Sequence, residues 1–168
     1  MKYLIVVDMQ NDFITGALGS AEARQIVSRV LSEVKSFDGR VIFTRDTHFG
    51  DYMTSAEGKK LPVPHCIKGS EGWQICPELL PLAETVIDKP TFGSLDLPAL
   101  IRSFGEDVEG LELCGLCTDI CVISNAMILK AAFPEGPISV KASCSAGVTP
   151  ESHNTALAAM SAVQIDIV

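Results

Sequence analysis

Lys2-Tyr3-Leu4-Ile5-Val6-Val7-Asp8 is a continuous apolar run closed by a carboxylate. A strand that is apolar at every position, rather than at every second one, suits burial on both faces, a habit of parallel sheets covered by helices. Further segments of both kinds follow. Ser20 caps a helix in which Ile26, Val27, Val30, Leu31 and Val34 repeat on one face. Arg40–Arg45 reads as a second strand, Glu84–Asp88 as a third, Val108–Gly115 as a fourth, Ile138–Ala142 as a fifth and Gln164–Val168 as a sixth. Asp96–Phe104 reads as a helix, and Asp119–Phe133 as a nearly all-apolar one that Thr118 can cap and Pro134 stops. Thr149-Pro150 supplies the cap and first residue of a last helix. This alternation predicts an α/β fold with a parallel sheet, right-handed crossovers and helices on both faces. One connection, Asp46 to about Cys76, is too long for an ordinary link and is expected to carry function.

The chain has 168 residues. At about 150 residues per domain, that predicts a single domain over residues 1–168. A net charge of −8 leaves no basic patch to grip a phosphate backbone, so nucleic acid is not an expected partner. Hydrophobic residues at 47% and charged ones at 20% are a globular balance. Asp8 ends the opening apolar run well short of a signal-peptide core, and no segment approaches the roughly 20 apolar residues of a membrane span. These readings predict a cytoplasmic protein with no membrane partner. Six cysteines without an export signal read as reduced thiols rather than a disulfide framework. The apolar stretch Ile120–Phe133 predicts a subunit interface, and with it a homo-oligomer.

In open parallel sheets ligands bind beyond the carboxyl ends of the strands. Asp8 lies at the end of the first strand, Asp46 and His48 just after the second, Lys89 just after the third, and Cys117 and Cys121 just after the fourth. Each alone is compatible with a solvated loop; together they bring a carboxylate, an ammonium and a thiol to one edge. Cys121 falls in the first turn of a helix, where free amides and the helix dipole bias a thiol toward thiolate. The competing reading is a buried core cysteine, and Cys114-x-x-Cys117 is a redox or zinc half-motif that lacks a second pair. A thiol nucleophile usually has a His partner, but of the three His two lie in the long connection. Asp8 is then the available proton acceptor, with Lys89 holding the two charges together. Asp46-x-His48, with His65 seventeen residues on, supplies one oxygen and two imidazoles for a divalent metal with positions left open. The same residues also read as a loop histidine and one packed beside Pro64. His153 reads as structural.

Five segments, in order along nearly the whole chain, resemble the isochorismatase-like cysteine hydrolases, and within them the nicotinamidase branch. They are Val6-Val7-Asp8-Met9-Gln10-Asn11-Asp12-Phe13, Thr44-Arg45-Asp46-Thr47-His48, His65-Cys66-Ile67-Lys68-Gly69, Lys89-Pro90-Thr91-Phe92 and Gly115-Leu116-Cys117-Thr118-Asp119-Ile120-Cys121-Val122. The resemblance implies a six-stranded parallel sheet in order 3-2-1-4-5-6 and a catalytic set of Asp8, Lys89 and Cys121. It implies a cis peptide at Leu116–Cys117 and an oxyanion hole from the backbone amides of Cys117 and Cys121. It further implies hydrolysis of a small amide, nicotinamide to nicotinate and ammonia, through a Cys121 thioester. Asp46, His48 and His65 match the ligands of a divalent metal, zinc with iron or manganese as alternatives, that binds the pyridine nitrogen. Two departures bear on the pocket. Asp51-Tyr52 stands where many nicotinamidases carry a further His, and Leu61-Pro62-Val63-Pro64 where some carry a Trp. Phe13 carries over as an aromatic wall for the substrate, with Phe92 as a second candidate. The alternatives are a metal-independent amidohydrolase acting on carbamoyl or ureido compounds, and a non-catalytic binding relative that keeps the fold.

Overall fold

A computed structural model describes residues 1–168. In chain order it contains β1 (Lys2–Val7), α1 (Asn11–Ile14), α2 (Ala21–Ser36), β2 (Arg40–Asp46), α3 (Ala56–Lys60), β3 (Val86–Lys89) and α4 (Asp96–Ser103). There follow β4 (Gly110–Leu116), α5 (Ile123–Ala132), β5 (Ile138–Ala146), α6 (Pro150–Ala162) and β6 (Asp166–Ile167). The strands form one sheet in the order 3-2-1-4-5-6, every pairing parallel.

The opening run behaves as its composition demands. Tyr3, Ile5 and Val7 face Leu97 and Ile101 of α4, Ala126 and Leu129 of α5 and Met160 of α6. Leu4 and Val6 face the other way, onto Ile26, Val30 and Val34 of α2 and onto Ile75 and Leu79. Burying each such aliphatic side chain is worth about 1.5–3 kcal/mol, so a strand with two covered faces belongs at the centre of the sheet. There β1 lies between β2 and β4, at the point where the strand order reverses, and the crevice beyond its carboxyl end opens next to Asp8.

Two of the three predicted caps form. Ser20 Oγ accepts from Ala23 N at 3.0 Å, and Thr149 and Ser152 make a reciprocal capping box at the start of α6. The third does not. Thr118 lies inside a wide π-type turn, Thr118–Val122, that precedes α5, and its hydroxyl pairs with His153 Nδ1 at 2.8 Å. β5 runs four residues further than its apolar pattern, to Ala146, with a register shift between Leu113 and Gly115 of β4. β6 is shorter than predicted, because Gln164 adopts φ +66° and delays the strand to Asp166. The faces of α5 are largely covered within the chain, by α4, α6 and β5, and Ala131 is its only exposed residue. Its apolar Ile123, Met127 and Ile128 remain partly exposed. No helix is long and apolar enough to cross a membrane, and all six cysteines are free thiols.

The long connection returns to the carboxyl edge of the sheet. It bridges His48 to Ile67 and Ile75 to Gln10, and Trp73 Nε1 donates to Thr47 Oγ1 at 2.9 Å. Asp12 Oδ2 accepts from Cys66 N at 2.7 Å, which ties the His65–Cys66 segment to α1.

Gly115 is a tight backbone position near this edge. It pairs with Val7 at φ +114°, and a Cβ there would meet the Val7 carbonyl oxygen. Both strain and overlap penalise any side chain, so Gly115→Ala is expected to destabilise the fold by about 2–4 kcal/mol. Urea unfolding checks this as a lowered midpoint with an unchanged slope.

Candidate active site

Four strand ends deliver the predicted residues to one place. Asp8 follows β1 at φ +47°, Asp46 and Lys89 are register partners at the ends of β2 and β3, and Cys121 lies in the turn after β4. Arg45 and Asp88, one residue earlier in each strand, pair at 2.8 Å, and strand alternation sends them to the opposite face. Asp8 and Lys89 have no exposed surface, and Cys121 retains 5%.

Lys89 Nζ is the hub. It lies 2.6 Å from Asp8 Oδ2, 3.4 Å from Asp46 Oδ1 and 3.5 Å from Cys121 Sγ, and donates to the Thr91 carbonyl at 3.1 Å. The contact with Asp8 Oδ2 is a fully buried ion pair. Burial would neutralise the ammonium, but the charges of the Asp8 and Asp46 carboxylates outweigh it and hold the Lys89 pKa above its ordinary value. Burial raises the Asp8 pKa more than Lys89 and Thr44 lower it. The Cys121 thiol is pushed well up, by burial first and then by the charge of Asp8, with Lys89 opposing. This corrects the thiolate expectation: the helix entry and the ammonium do not offset desolvation and the facing carboxylates, so the thiol keeps its proton at rest.

The peptide bond between Leu116 and Cys117 is cis, as the resemblance implies. The Cys117 carbonyl accepts from Ile120 N at 3.1 Å and Val122 N at 3.0 Å, whereas its N–H donates to no protein acceptor. Asn125, fully buried, donates to the carbonyls of Cys121 at 2.8 Å and Phe92 at 3.1 Å and accepts from Ser94 N at 3.0 Å. It fastens the turn of Cys121 to the segment that follows Lys89.

The second group lies beside the first. Asp46, His48 and His65 converge with Glu57, and their ligand atoms all lie within 4.8 Å of one another. His48 Nε2 is 2.8 Å from Asp46 Oδ2, and His65 Nε2 is 3.5 Å from both Asp46 Oδ2 and Glu57 Oε1. Despite burial, hydrogen bonds from His48 and His65 and the charge of Lys89 hold Asp46 well below the usual carboxylate range. His65 Nδ1 lies 2.8 Å from the Val63 carbonyl, which only a protonated Nδ1 can satisfy. The neutral ring therefore turns its Nε2 lone pair onto two carboxylate oxygens, an arrangement that needs a proton or a metal cation between them. Two imidazoles and two carboxylates, partly or wholly buried, with one ring nitrogen fixed from behind, fit a divalent metal.

Several contributors were not assigned a role from the sequence. Glu57 is one of many acidic residues and enters only because α3, capped by Ser55, turns it inward. Gln10 clamps the Asp46 backbone, accepting from its N at 2.7 Å and donating to its O at 2.9 Å, and also donates to Trp73 O at 2.9 Å. Tyr52, at the departure noted above, packs edge-on against His48 and His65, with ring centres 4.7 and 5.1 Å away. Phe13 lies 5.5 Å from the His65 ring, while Phe92, 41% exposed, lines with Ile120, Leu61 and Glu57 an adjoining cleft of about 330 Å³. His153 supports Thr118, beside Cys117, which agrees with a structural role.

A cysteine flanked by a buried carboxylate and a buried ammonium thus stands at the switch point of a parallel sheet, next to a metal-capable cluster. The comparisons with known proteins agree. The isochorismatase domain model matches residues 2–168. Over the whole chain and 98% of the relative, the sequence is 29% identical to the nicotinamidase/pyrazinamidase of Mycobacterium tuberculosis. Among solved structures, the pyrazinamidase of Pyrococcus horikoshii in complex with zinc superimposes with a TM-score of 0.85 at 26% identity, covering 99% of this chain and 98% of that one. The N-carbamoylsarcosine amidase of Thermoplasma acidophilum superimposes with a TM-score of 0.80, also at 26% identity, covering 99% and 94%. The chain belongs to the isochorismatase family.

Proposed function

We propose that this chain hydrolyses a small heteroaromatic carboxamide of the nicotinamide or pyrazinamide kind to its carboxylate and ammonia, with Cys121 as nucleophile and a divalent metal at Asp46, His48, Glu57 and His65. The observation that carries this reading is the double role of Asp46. Its Oδ1 faces Lys89 at 3.4 Å and its Oδ2 faces His48 at 2.8 Å, so the metal-capable cluster and the thiol site share one carboxylate. A metal-free reading leaves four converging donors without a task.

Asp8 accepts the thiol proton as the Cys121 sulfur bonds to the amide carbon. The raised pKa of Asp8 makes it a better acceptor for this proton, while the raised pKa of the Cys121 thiol works against the transfer. The carbonyl oxygen gains the negative charge and is received by the N–H groups of Cys117 and Cys121. When the C–N bond breaks, Asp8 returns the proton to the leaving nitrogen, and ammonia departs. Asp8 then takes a proton from water as its oxygen attacks the thioester, and the thiol is restored. Throughout, Lys89 stays charged and keeps the two carboxylates from repelling each other. A metal ion, when bound, supplies a Lewis-acid position for the ring nitrogen of the substrate. Zinc, iron and manganese all suit the donor set.

The test is ammonia release from nicotinamide, pyrazinamide, and N-carbamoyl and ureido compounds, before and after chelation and with each metal restored. Release from the ring carboxamides, lost with the metal and regained on its return, is expected. Chelator-insensitive turnover confined to carbamoyl or ureido compounds would assign the chain to the other branch. Glu57→Gln is expected to weaken metal binding by roughly 10- to 100-fold, measured directly by titration with the metal.

A further inference from the structure

Asp8 is asked to hold a fixed orientation in a backbone conformation that few L-residues adopt, and the residue that holds it stands on the neighbouring strand. We propose that Thr44 is a positioning residue that assigns the two oxygens of Asp8 to different tasks. This rests on the reading of Asp8 as the proton acceptor for Cys121.

Thr44 is fully buried in β2. Its Oγ1 donates to Asp8 Oδ1 at 2.6 Å and accepts from Asp8 N at 3.3 Å, and its carbonyl accepts from the same N at 3.2 Å. The hydroxyl has one proton, and with its acceptor side turned to the Asp8 N–H, that proton goes to Oδ1. At 2.6 Å this is in the range of a charge-assisted O–H···O⁻ bond. Oδ1 therefore carries a donor whether Asp8 is ionised or protonated, and the thiol proton is better received by the other oxygen. Oδ2 remains: it lies 2.6 Å from Lys89 Nζ, on the side of the carboxylate that Thr44 does not hold, and is the oxygen assigned to receive the proton. With the hydroxyl removed, nothing but Lys89 distinguishes the two oxygens, and the carboxylate can turn about its terminal bond away from Sγ.

The experiment compares Thr44→Val, Thr44→Ala and Thr44→Ser with the wild type by two readouts. The first is the rate at which iodoacetamide alkylates Cys121, followed by peptide mass mapping in metal-free protein. The second is the kcat and KM of ammonia release. Valine and alanine are expected to slow alkylation and lower kcat, each by about 10- to 100-fold, with KM within about twofold, and serine to restore both to within about threefold. Alanine adds no methyl group beside Asp8 and serves should the valine variant not fold. Wild-type alkylation in the alanine variant, or a serine variant no faster than the alanine one, would overturn the proposal. If the wild type releases no ammonia from any carboxamide, the proposed function fails, while the alkylation rates still decide the role of Thr44.

Discussion

Cys121→Ala is expected to reduce ammonia release by on the order of 10⁴-fold or more, to the level of the uncatalysed background, while the protein keeps its fold. The side chain lost is small, 5% exposed and packed among Val122, Ala126 and their neighbours, so the variant loses little packing. What it loses is the only thiol that touches Lys89. Cys121→Ser is the sharper form of the experiment. Its hydroxyl fits the space, but a serine proton is far harder to remove than a thiol proton, and Asp8 is a weak base for it. The serine variant is therefore expected to fall nearly as far as the alanine one. Retention of more than about one-hundredth of the wild-type kcat by either variant would place the nucleophile elsewhere. Because the resting thiol is protonated, the wild type is also expected to show no thiolate absorbance near neutral pH, in contrast to cysteine enzymes with a preformed ion pair.

The parts legible in the sequence were those that repeat or that close a repeat. The apolar run before Asp8 and the helical periodicity after Ser20 were set by burial alone, and both stand where burial puts them. Asp8, Asp46 and Lys89 could be mapped to one edge because each sits at the end of a strand, and strands in a parallel sheet end together. Glu57, Gln10, Thr44 and Asn125 could not. Each works through a contact with a residue at least 8 positions away or through a turn of undetermined path, and nothing in local composition separates Thr44 from an ordinary strand threonine. The cap at Thr118 failed for a similar reason: a local rule proposed a hydroxyl-to-amide bond, and a distant partner, His153, took the hydroxyl. The protonation state of Cys121 misled the sequence reading because helix position is local whereas desolvation depends on everything packed around the thiol.

Lys89→Met is expected to abolish activity and also to destabilise the fold by about 3–5 kcal/mol, a fall in Tm of about 6–20 °C for a chain of this size. Methionine replaces the aliphatic stem at nearly the same volume, so the change isolates the charge. Without it Asp8 and Asp46 remain buried with no cation between them, and each must either stay ionised in a medium that disfavours charge or take up a proton. The direction of the pH dependence follows. The folded-state pKa of Asp8 is already above its ordinary value, and loss of the ammonium raises it further, so the native state binds a proton that the unfolded chain has released. Stability then falls as pH rises from the ordinary carboxylate range through the raised pKa, and metal-free Lys89→Met should be closer to the wild type near pH 5 than near pH 8. The double variant Asp8→Asn, Lys89→Met separates charge from packing. With Asp8 neutral one of the two stranded carboxylates is gone, and at least half of the lost stability should return with no return of activity. If the single variant melts with the wild type at pH 8, Lys89 is not the counter-ion of this site, and the assignment of a charged hub between thiol and metal cluster fails with it.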